Sequence, residues 1–470
     1  MPQESAMLQA LGELIGQAHV LTDADVTAAF LSEPRGLYHG KAACVVRPGS
    51  TAEVAAVLRY CHAQRLSVVP QGGNTGLVGG QTPDASGKAI VLSLQRLARL
   101  REIDAAAHVM VVEAGMTLAE AQSHARDAGM LFPLSLASEG TCTIGGNLAT
   151  NAGGTAVIAY GSTRDLVAGL EVVLADGRVL NGLSSLKKDN TGYDLKHLFM
   201  GSEGTLGVMT AASLKLFPQP RHVETAFIGL ASPDQALVLL ALAQAHAGNA
   251  LKTFELMPRL GIEFVVRHAP GHRDPLQKPH AWYVLMELAA SAEGDLQATA
   301  LEMLETALNR GVIEDATLAE SGAQRDALWR LREDLPDVQK REGGSIKHDI
   351  SVPIAAVPEF LRVAGAAVLQ AMPGARPVPF GHLGDGNIHF NISQPVGADT
   401  AGFLARWGEI NALVHAIVTR MGGSISAEHG IGQLKRELLQ QVKDPVALEV
   451  MRALKATLDP HGILNPGKVL

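Results

Sequence analysis

Apolar and polar positions recur along the chain in two periods, and the switches between them outline its elements. Residues 1–36 carry helical spacing, with Thr22 and Asp23 as candidate caps. From Ala43 the texture changes. Cys44-Val45-Val46 is strand-like and Pro48-Gly49-Ser50 turns the chain. Thr51 is placed to cap an amphipathic helix from about Glu53 to Arg65, and Val68-Val69 opens another strand, so this region is β-α-β. Further strands are predicted at Ala89–Leu94, Val109–Ala114, Leu170–Leu174 and Arg178–Leu180, the last two joined through Ala175-Asp176-Gly177 as a hairpin. The prolines of Phe217-Pro218-Gln219-Pro220-Arg221 mark a boundary.

Beyond it, strands (Thr225–Leu230, Ala281–Leu288) alternate with amphipathic helices (Asp234–Ala247, Asp295–Asn309), which predicts helices on one face of an antiparallel sheet. The end of the chain is helical, Phe403–Arg420 and Gln433–Leu458. The division expected is therefore 1–220, 221–420 and a helical segment 421–470, with an α+β fold.

Composition narrows the class. Of 470 residues, 47% are hydrophobic and 18% charged, which excludes wholesale disorder. Aromatics are only 4% and the net charge is −8, a poor match to a nucleic-acid or anionic-membrane partner. The greasiest stretch, Ala236–Ala243, is flanked by polar residues and reads as a buried helix; no transmembrane segment is expected. Met1–Gln9 contains Glu4 and no basic region, so no signal peptide is expected and a cytoplasmic setting is the default. Cys44, Cys61 and Cys142 have no paired spacing, against both a disulfide framework and a thiolate zinc site.

Glycine, 49 residues, is clustered. The first cluster, Pro70–Gly80, follows a strand and contains no Lys or Arg, so any phosphate it holds is held by backbone N–H groups. The second runs from Gly140 to Gly154 and the third from Gly201 to Gly207. Three such loops imply a long polyanionic cofactor.

A second feature is Pro379–Ser393. An Asp385-Gly386 turn would place His382 opposite His389, with Cβ atoms about 4.5–5.5 Å apart, close enough to share one metal ion. Asn387, His389, Asn391 and Ser393 then share one face and Ile388, Phe390 and Ile392 the other. Ser426-Ala427-Glu428-His429-Gly430 supplies a third ligand, Glu428 or His429, for an open zinc-type site. Cations for an anionic substrate stand in Trp329–Glu333 and Gly344–Asp349, although most such side chains are surface charges.

The glycine runs Gln71–Gly80, Gly145–Gly154 and Gly201–Gly207 resemble the FAD-binding domain of the vanillyl-alcohol oxidase / p-cresol methylhydroxylase flavoprotein superfamily. Residues 40–470 resemble its branch of FAD-linked D-2-hydroxyacid dehydrogenases, and Ser184–Lys196 is especially similar to the group acting on D-2-hydroxyglutarate. The resemblance implies a PCMH-type FAD-binding domain (1–220), a substrate-binding cap domain (221–420) and a C-terminal segment (421–470) returning to the first. It implies non-covalent FAD, because Asn74 stands where some members carry a linking His. FAD contacts are expected from Pro70, Gly72, Gly73, Asn74, Thr75, Gly76, Leu77, Gly79, Gly80, Ser138, Gly140, Thr143, Gly146, Asn147, Thr150, Gly153, Gly154, Glu203, Gly204, Gly207, Val208 and Asn465. It also implies His382, His389 and Glu428 as ligands of zinc (or manganese or cobalt), His429 as the base, Arg332 and Lys347 as carboxylate ligands and Asn391 as a substrate hydrogen-bond partner.

The expected chemistry is proton abstraction by His429 with hydride transfer from C2 of the D-2-hydroxyacid to flavin N5. Electrons would leave to an electron-transfer flavoprotein or a quinone-linked carrier, since the sequence holds no iron–sulfur or haem motif. A homodimer is expected as the commonest assembly. One departure bears on the substrate: the group's pattern suggests a Thr four positions after the clamping Arg, and here stands Pro336, which keeps D-lactate as an alternative. A flavin-free zinc hydrolase built on the same ligands leaves the glycine clusters unexplained, and a non-catalytic flavin-binding protein leaves the candidate base and ligands unexplained.

Overall fold

A computed structural model describes residues 2–292 and 294–470, which pack as two compact units. The first comprises Met1–Gly153, Ser162–Gln219 and Glu428–Leu470; the second comprises Gly154–Gly161 and Pro220–Ala427. The C-terminal segment thus joins the first unit from Glu428 onward, and an eight-residue excursion near Tyr160 belongs to the second.

In the first unit, strands Cys44–Val46, Ile90–Ser93 and Val68–Gln71 pair in parallel, with Val20–Leu21 antiparallel at one edge. The helix Thr51–Gln64 makes the crossover and buries Val54, Val57, Leu58 and Cys61. Its cap is Ser50, whose hydroxyl accepts from Glu53 N (3.2 Å); Thr51, the residue expected there, instead donates its hydroxyl to Glu171 (2.6 Å). An antiparallel sheet follows, ordered Leu100–Asp104, Val109–Glu113, Val208–Lys215, Val167–Val173 and Val179–Gly182, and it includes the expected hairpin. The three cysteines are free and buried, and burial pushes the Cys44 and Cys61 thiols up to about 12. The tail returns to the parallel sheet through a Val68–Leu464 bridge.

The second unit is built on an eight-stranded antiparallel sheet. Its order is Asp315–Leu318, His222–Leu230, Trp282–Ala290, Leu251–Pro258, Arg376–His382, Asn387–Ser393 and Ser345–Ile346, with Asp349–Ser351 also pairing on Asn387–Ser393. Helices cover both faces, not one. Pro233–Ala247, Leu296–Asn309, Val357–Ala371 and Trp407–Arg420 share one core; Arg259–His268, Gly322–Glu333 and Leu335–Val338 share the other. The strands explain this: in Trp282–Ala290, Val284, Met286 and Leu288 enter the first core while Tyr283 and Leu285 enter the second.

Ile354–Ala371 is one stretch long and apolar enough to cross a membrane by length and composition, which the sequence reading had missed. Its Val357, Phe360, Ala364 and Val368 are fully buried in the first of these cores. The helical end of the chain is interrupted twice relative to expectation, at Arg406 and at Lys443-Asp444, where Pro445 opens a new helix.

Candidate active site

In the first unit, strand Val68–Gln71 runs into a cleft. Its walls bring together Pro70, Gly72, Gly73, Asn74, Thr75, Gly76 and Gly80, then Thr143, Gly146, Asn147 and Thr150, then Glu203, Gly204, Gly207 and Val208, and finally His429. Three glycine clusters distant in sequence therefore form one surface. Gln71, Gly145 and Ala149, which lie within the glycine runs, also line it, as do Gln81, Leu94 and Met209, which sequence reasoning did not single out. Glycine is required at 73, where a Cβ would lie 1.9 Å from the Thr141 carbonyl oxygen.

Seven expected residues stand off the wall: Leu77, Gly79, Ser138, Gly140, Gly153, Gly154 and Asn465. Some of them shape the cleft from behind. Asn465 Nδ2 donates to Gly80 O (2.9 Å) and Glu203 O (2.8 Å), and Gly79 packs against the Tyr38 ring. The Ser138 carbonyl accepts from Thr141 N and Cys142 N. Gly154 lies in the second unit.

No Lys or Arg lines the cleft among the described residues. Its lining is glycine backbone with Thr, Asn and Gln side chains, its wall includes apolar Leu94, Val208 and Met209, and Gln71 Oε1 and Asn74 Oδ1 are buried without a partner. This donor set fits a dinucleotide whose pyrophosphate is held by N–H groups and whose ring lies on an apolar wall.

The loop carrying Glu428 and His429 is fixed within the same unit. Glu203, left-handed at φ 52°, points its buried carboxylate at this loop and accepts from Ile431 N (2.6 Å) and Gly432 N (2.8 Å). Burial pushes the Glu203 carboxyl up to about 7, against the pull of those two amides and Lys435. Val78 O accepts from Gln433 N (2.9 Å), and Gln433 Nε2 donates to Gly79 O (2.9 Å). Glu428 approaches Gly153 so closely that a Cβ there would lie 2.6 Å from Oε1.

In the second unit the other candidate residues gather on the sheet face that carries Gly322–Glu333. The hairpin Arg376–His382 / Asn387–Ser393 has a different register from the one expected: Phe380, not His382, stands opposite His389. The connection is four residues long, with Asp385 N and Gly386 N both bonded to His382 O. A slip of two residues preserves the face, so the two imidazoles remain neighbours, ring centroids 5.5 Å apart at 81°. Ile388, Phe390 and Ile392 point into the core as expected.

Each histidine has a buried carboxylate beside it. His382 Nδ1 is 2.5 Å from Glu255 Oε1, and His389 Nδ1 is 3.8 Å from Asp349 Oδ1. Glu255 also accepts from Arg332 Nε (2.7 Å), and the Arg332 guanidinium lies 4.7 Å from the Phe380 ring centroid. Burial would raise the Glu255 carboxyl, but the charges of His382 and Arg332 outweigh it and hold the group down at about 2. Lys347 Nζ reaches Pro336 O at 3.4 Å. Asn391 Nδ2 donates to the buried Gln339 (2.7 Å). Two imidazoles with carboxylates at their Nδ1 atoms are a donor set suited to zinc.

Glu255, Asp349 and Gln339 are site residues that sequence reasoning missed. For Glu255 a signal existed: it is the one carboxylate in the apolar strand Leu251–Pro258.

Comparison with known proteins agrees with both units. Residues 42–182 match an FAD binding domain, and residues 219–469 match the C-terminal domain of FAD linked oxidases. A D-2-hydroxyglutarate dehydrogenase of Xanthomonas citri pv. viticola is 40% identical, the alignment covering 90% of this chain and 88% of that one. The mitochondrial D-2-hydroxyglutarate dehydrogenase of Bos taurus is 42% identical over 92% and 77% of the respective chains. Among solved structures, p-cresol methylhydroxylase with substrate bound superposes with a TM-score of 0.79 at 16% identity, covering 100% of this chain and 97% of that one.

The fold is thus that of PCMH-type flavoproteins, and the first unit carries the FAD binding domain. The chain belongs to the FAD-linked oxidase family, in its branch of D-2-hydroxyacid dehydrogenases.

Proposed function

We propose that this protein oxidises D-2-hydroxyglutarate to 2-oxoglutarate, using non-covalent FAD and a divalent metal, zinc in the first instance. The observation that carries the reading is the joining of Arg332 and His382 on one buried carboxylate: a carboxylate clamp and a metal-type imidazole built as one assembly. The relatives named above are D-2-hydroxyglutarate dehydrogenases, which supports the choice of acid.

In this reading the Arg332 fork and the Lys347 ammonium bind the substrate's C1 carboxylate. Asn391, steadied by Gln339, hydrogen-bonds the substrate. His382, His389 and Glu428 are the metal ligands. His429, at the wall of the flavin cleft, takes the 2-hydroxyl proton. Bound FAD supplies a hydride acceptor, and a bound divalent metal supplies Lewis acidity. With its three cysteines all buried and free, the chain passes its electrons to a partner such as an electron-transfer flavoprotein or a quinone-linked carrier. We place the protein in the cytoplasm, as a homodimer.

One observation favours D-lactate or another D-2-hydroxyacid as a second reading: position 336 offers Lys347 a backbone carbonyl and has no hydroxyl to offer a substrate. The test of the base is His429→Ala. Turnover is expected to fall at least ~100-fold while the protein stays yellow. Turnover near that of the unmodified enzyme would remove His429 from this role.

A further inference from the structure

Glu255 is fully buried in a central strand of the second unit, between Leu285 on one neighbouring strand and His382 on the other. A carboxylate at such a place is costly to desolvate, and a buried ion pair is weak evidence for stability, because apolar residues of similar volume commonly do as well. What a carboxylate gives here, and a Leu would not, is direction to two specific groups.

The first is His382. Its Nδ1 faces Glu255 Oε1 at 2.5 Å, which fixes the ring plane and the tautomer, so that coordination falls to Nε2. The second is Arg332. Its Nε donates to Glu255 Oε2 at 2.7 Å while the Phe380 ring supports the guanidinium face at 4.7 Å. An Arg held through Nε presents its Nη pair as the edge for another carboxylate. One turn earlier on the helix Gly322–Glu333, Trp329 Nε1 donates to Glu287 (2.9 Å), so the helix is seated on the sheet by two carboxylates, and Arg332 has a fixed base from which to reach.

We propose that Glu255 is a positioning residue for both halves of the substrate site: through Nδ1 it sets His382 for the metal, and through Nε it sets the Arg332 fork for the substrate carboxylate. This rests on the reading of His382 as a metal ligand and Arg332 as the clamp given above. It adds that the two are coupled through a residue that touches neither metal nor substrate.

The test is Glu255→Gln in the full-length flavoprotein, which keeps the shape and removes the charge. Two constants are measured: zinc affinity by competition with a chelator, and 2-oxoglutarate affinity of the metal-free holoprotein from the perturbation of its flavin spectrum. Zinc is expected to bind ~10–100-fold more weakly, and 2-oxoglutarate at least ~5-fold more weakly, in protein that stays folded and keeps its flavin at the assay temperature, with a lowered melting temperature because Arg332 loses its buried counter-charge. Either constant within twofold of the unmodified protein overturns the double role, and a loss of both together with the bound flavin at the assay temperature overturns it in favour of a structural one. His382→Ala, measured alongside, separates the premises: if it keeps its zinc, the metal-ligand reading fails and the 2-oxoglutarate arm still decides the Arg332 half. Should Glu255→Gln not yield folded flavoprotein, Glu255→Asp keeps the charge with a shorter reach, and both constants are expected to weaken in the same direction.

Discussion

Environment moves the carboxylates of this protein in opposite directions. Glu203 is pushed up to about 7 by burial beside the flavin cleft. Glu342 is held down at about 2: burial opposes this, but hydrogen bonds from Arg376, His268 and Arg267 prevail. A depressed carboxyl adds stability above its unfolded pKa, near 4.5, and that stability is lost as pH falls toward 2. The second unit is therefore expected to lose stability from this group across that window, at most roughly 3 kcal/mol before the discount for solvent screening around exposed Arg267. Glu342→Gln is expected to be less stable at pH 6 but to show a flatter acid limb, measured by urea unfolding at several pH values. An acid limb as steep as that of the unmodified protein would contradict the assignment.

At this scale the sequence was readable for residue type and much less so for partner. Arg332, His382 and Asn391 were identifiable as candidates. Glu255 and Gln339 were not, because their partners lie 77 and 52 positions away. Glu203 lines the cleft, but its carboxylate is occupied by amides of a loop more than 200 positions further on, a pairing no local pattern encodes.

Elements were more legible, since period and punctuation are local. The β-α-β opening, the Val167–Val173 / Val179–Gly182 hairpin and the long helices of the second unit all follow from them. The His382 hairpin failed in register because Asp385-Gly386 was given the whole turn, whereas Leu383 and Gly384 also belong to the loop. The two histidines still share one face because a shift of two does not change faces. Element-scale substitutions sort by what surrounds the backbone. Gly365 lies inside the helix Val357–Ala371 with open space at its Cβ position, so Gly365→Ala is expected to add about 0.5–1 kcal/mol in chemical denaturation. Ser50→Ala removes the cap of Thr51–Gln64 and is expected to cost about 1 kcal/mol. Reversal of either sign would mean that the local surroundings are not as described.

The whole molecule carries its own reporters. Trp282, Trp329 and Trp407 all belong to the second unit, and the flavin cleft belongs to the first. Gly73→Ala drives a Cβ into backbone atoms of Thr141 that cannot swing aside, so it is expected to abolish flavin retention while tryptophan emission stays that of the folded protein. A yellow Gly73→Ala protein would argue against the cleft as the flavin site. The division into units was only partly legible: the Pro218–Pro220 break marks one border and the resemblance implies the return of the tail, but the start of that return at Glu428 and the excursion Gly154–Gly161 depend on contacts made far along the chain.

The account as a whole turns on an anaerobic visible spectrum of the zinc-loaded flavoprotein, taken before and after D-2-hydroxyglutarate and repeated with D-lactate and the L-isomers. Bleaching of the flavin bands by D-2-hydroxyglutarate, with much less by D-lactate and none by the L-acids, is the expected result. A yellow protein that none of the D-acids bleaches would contradict it.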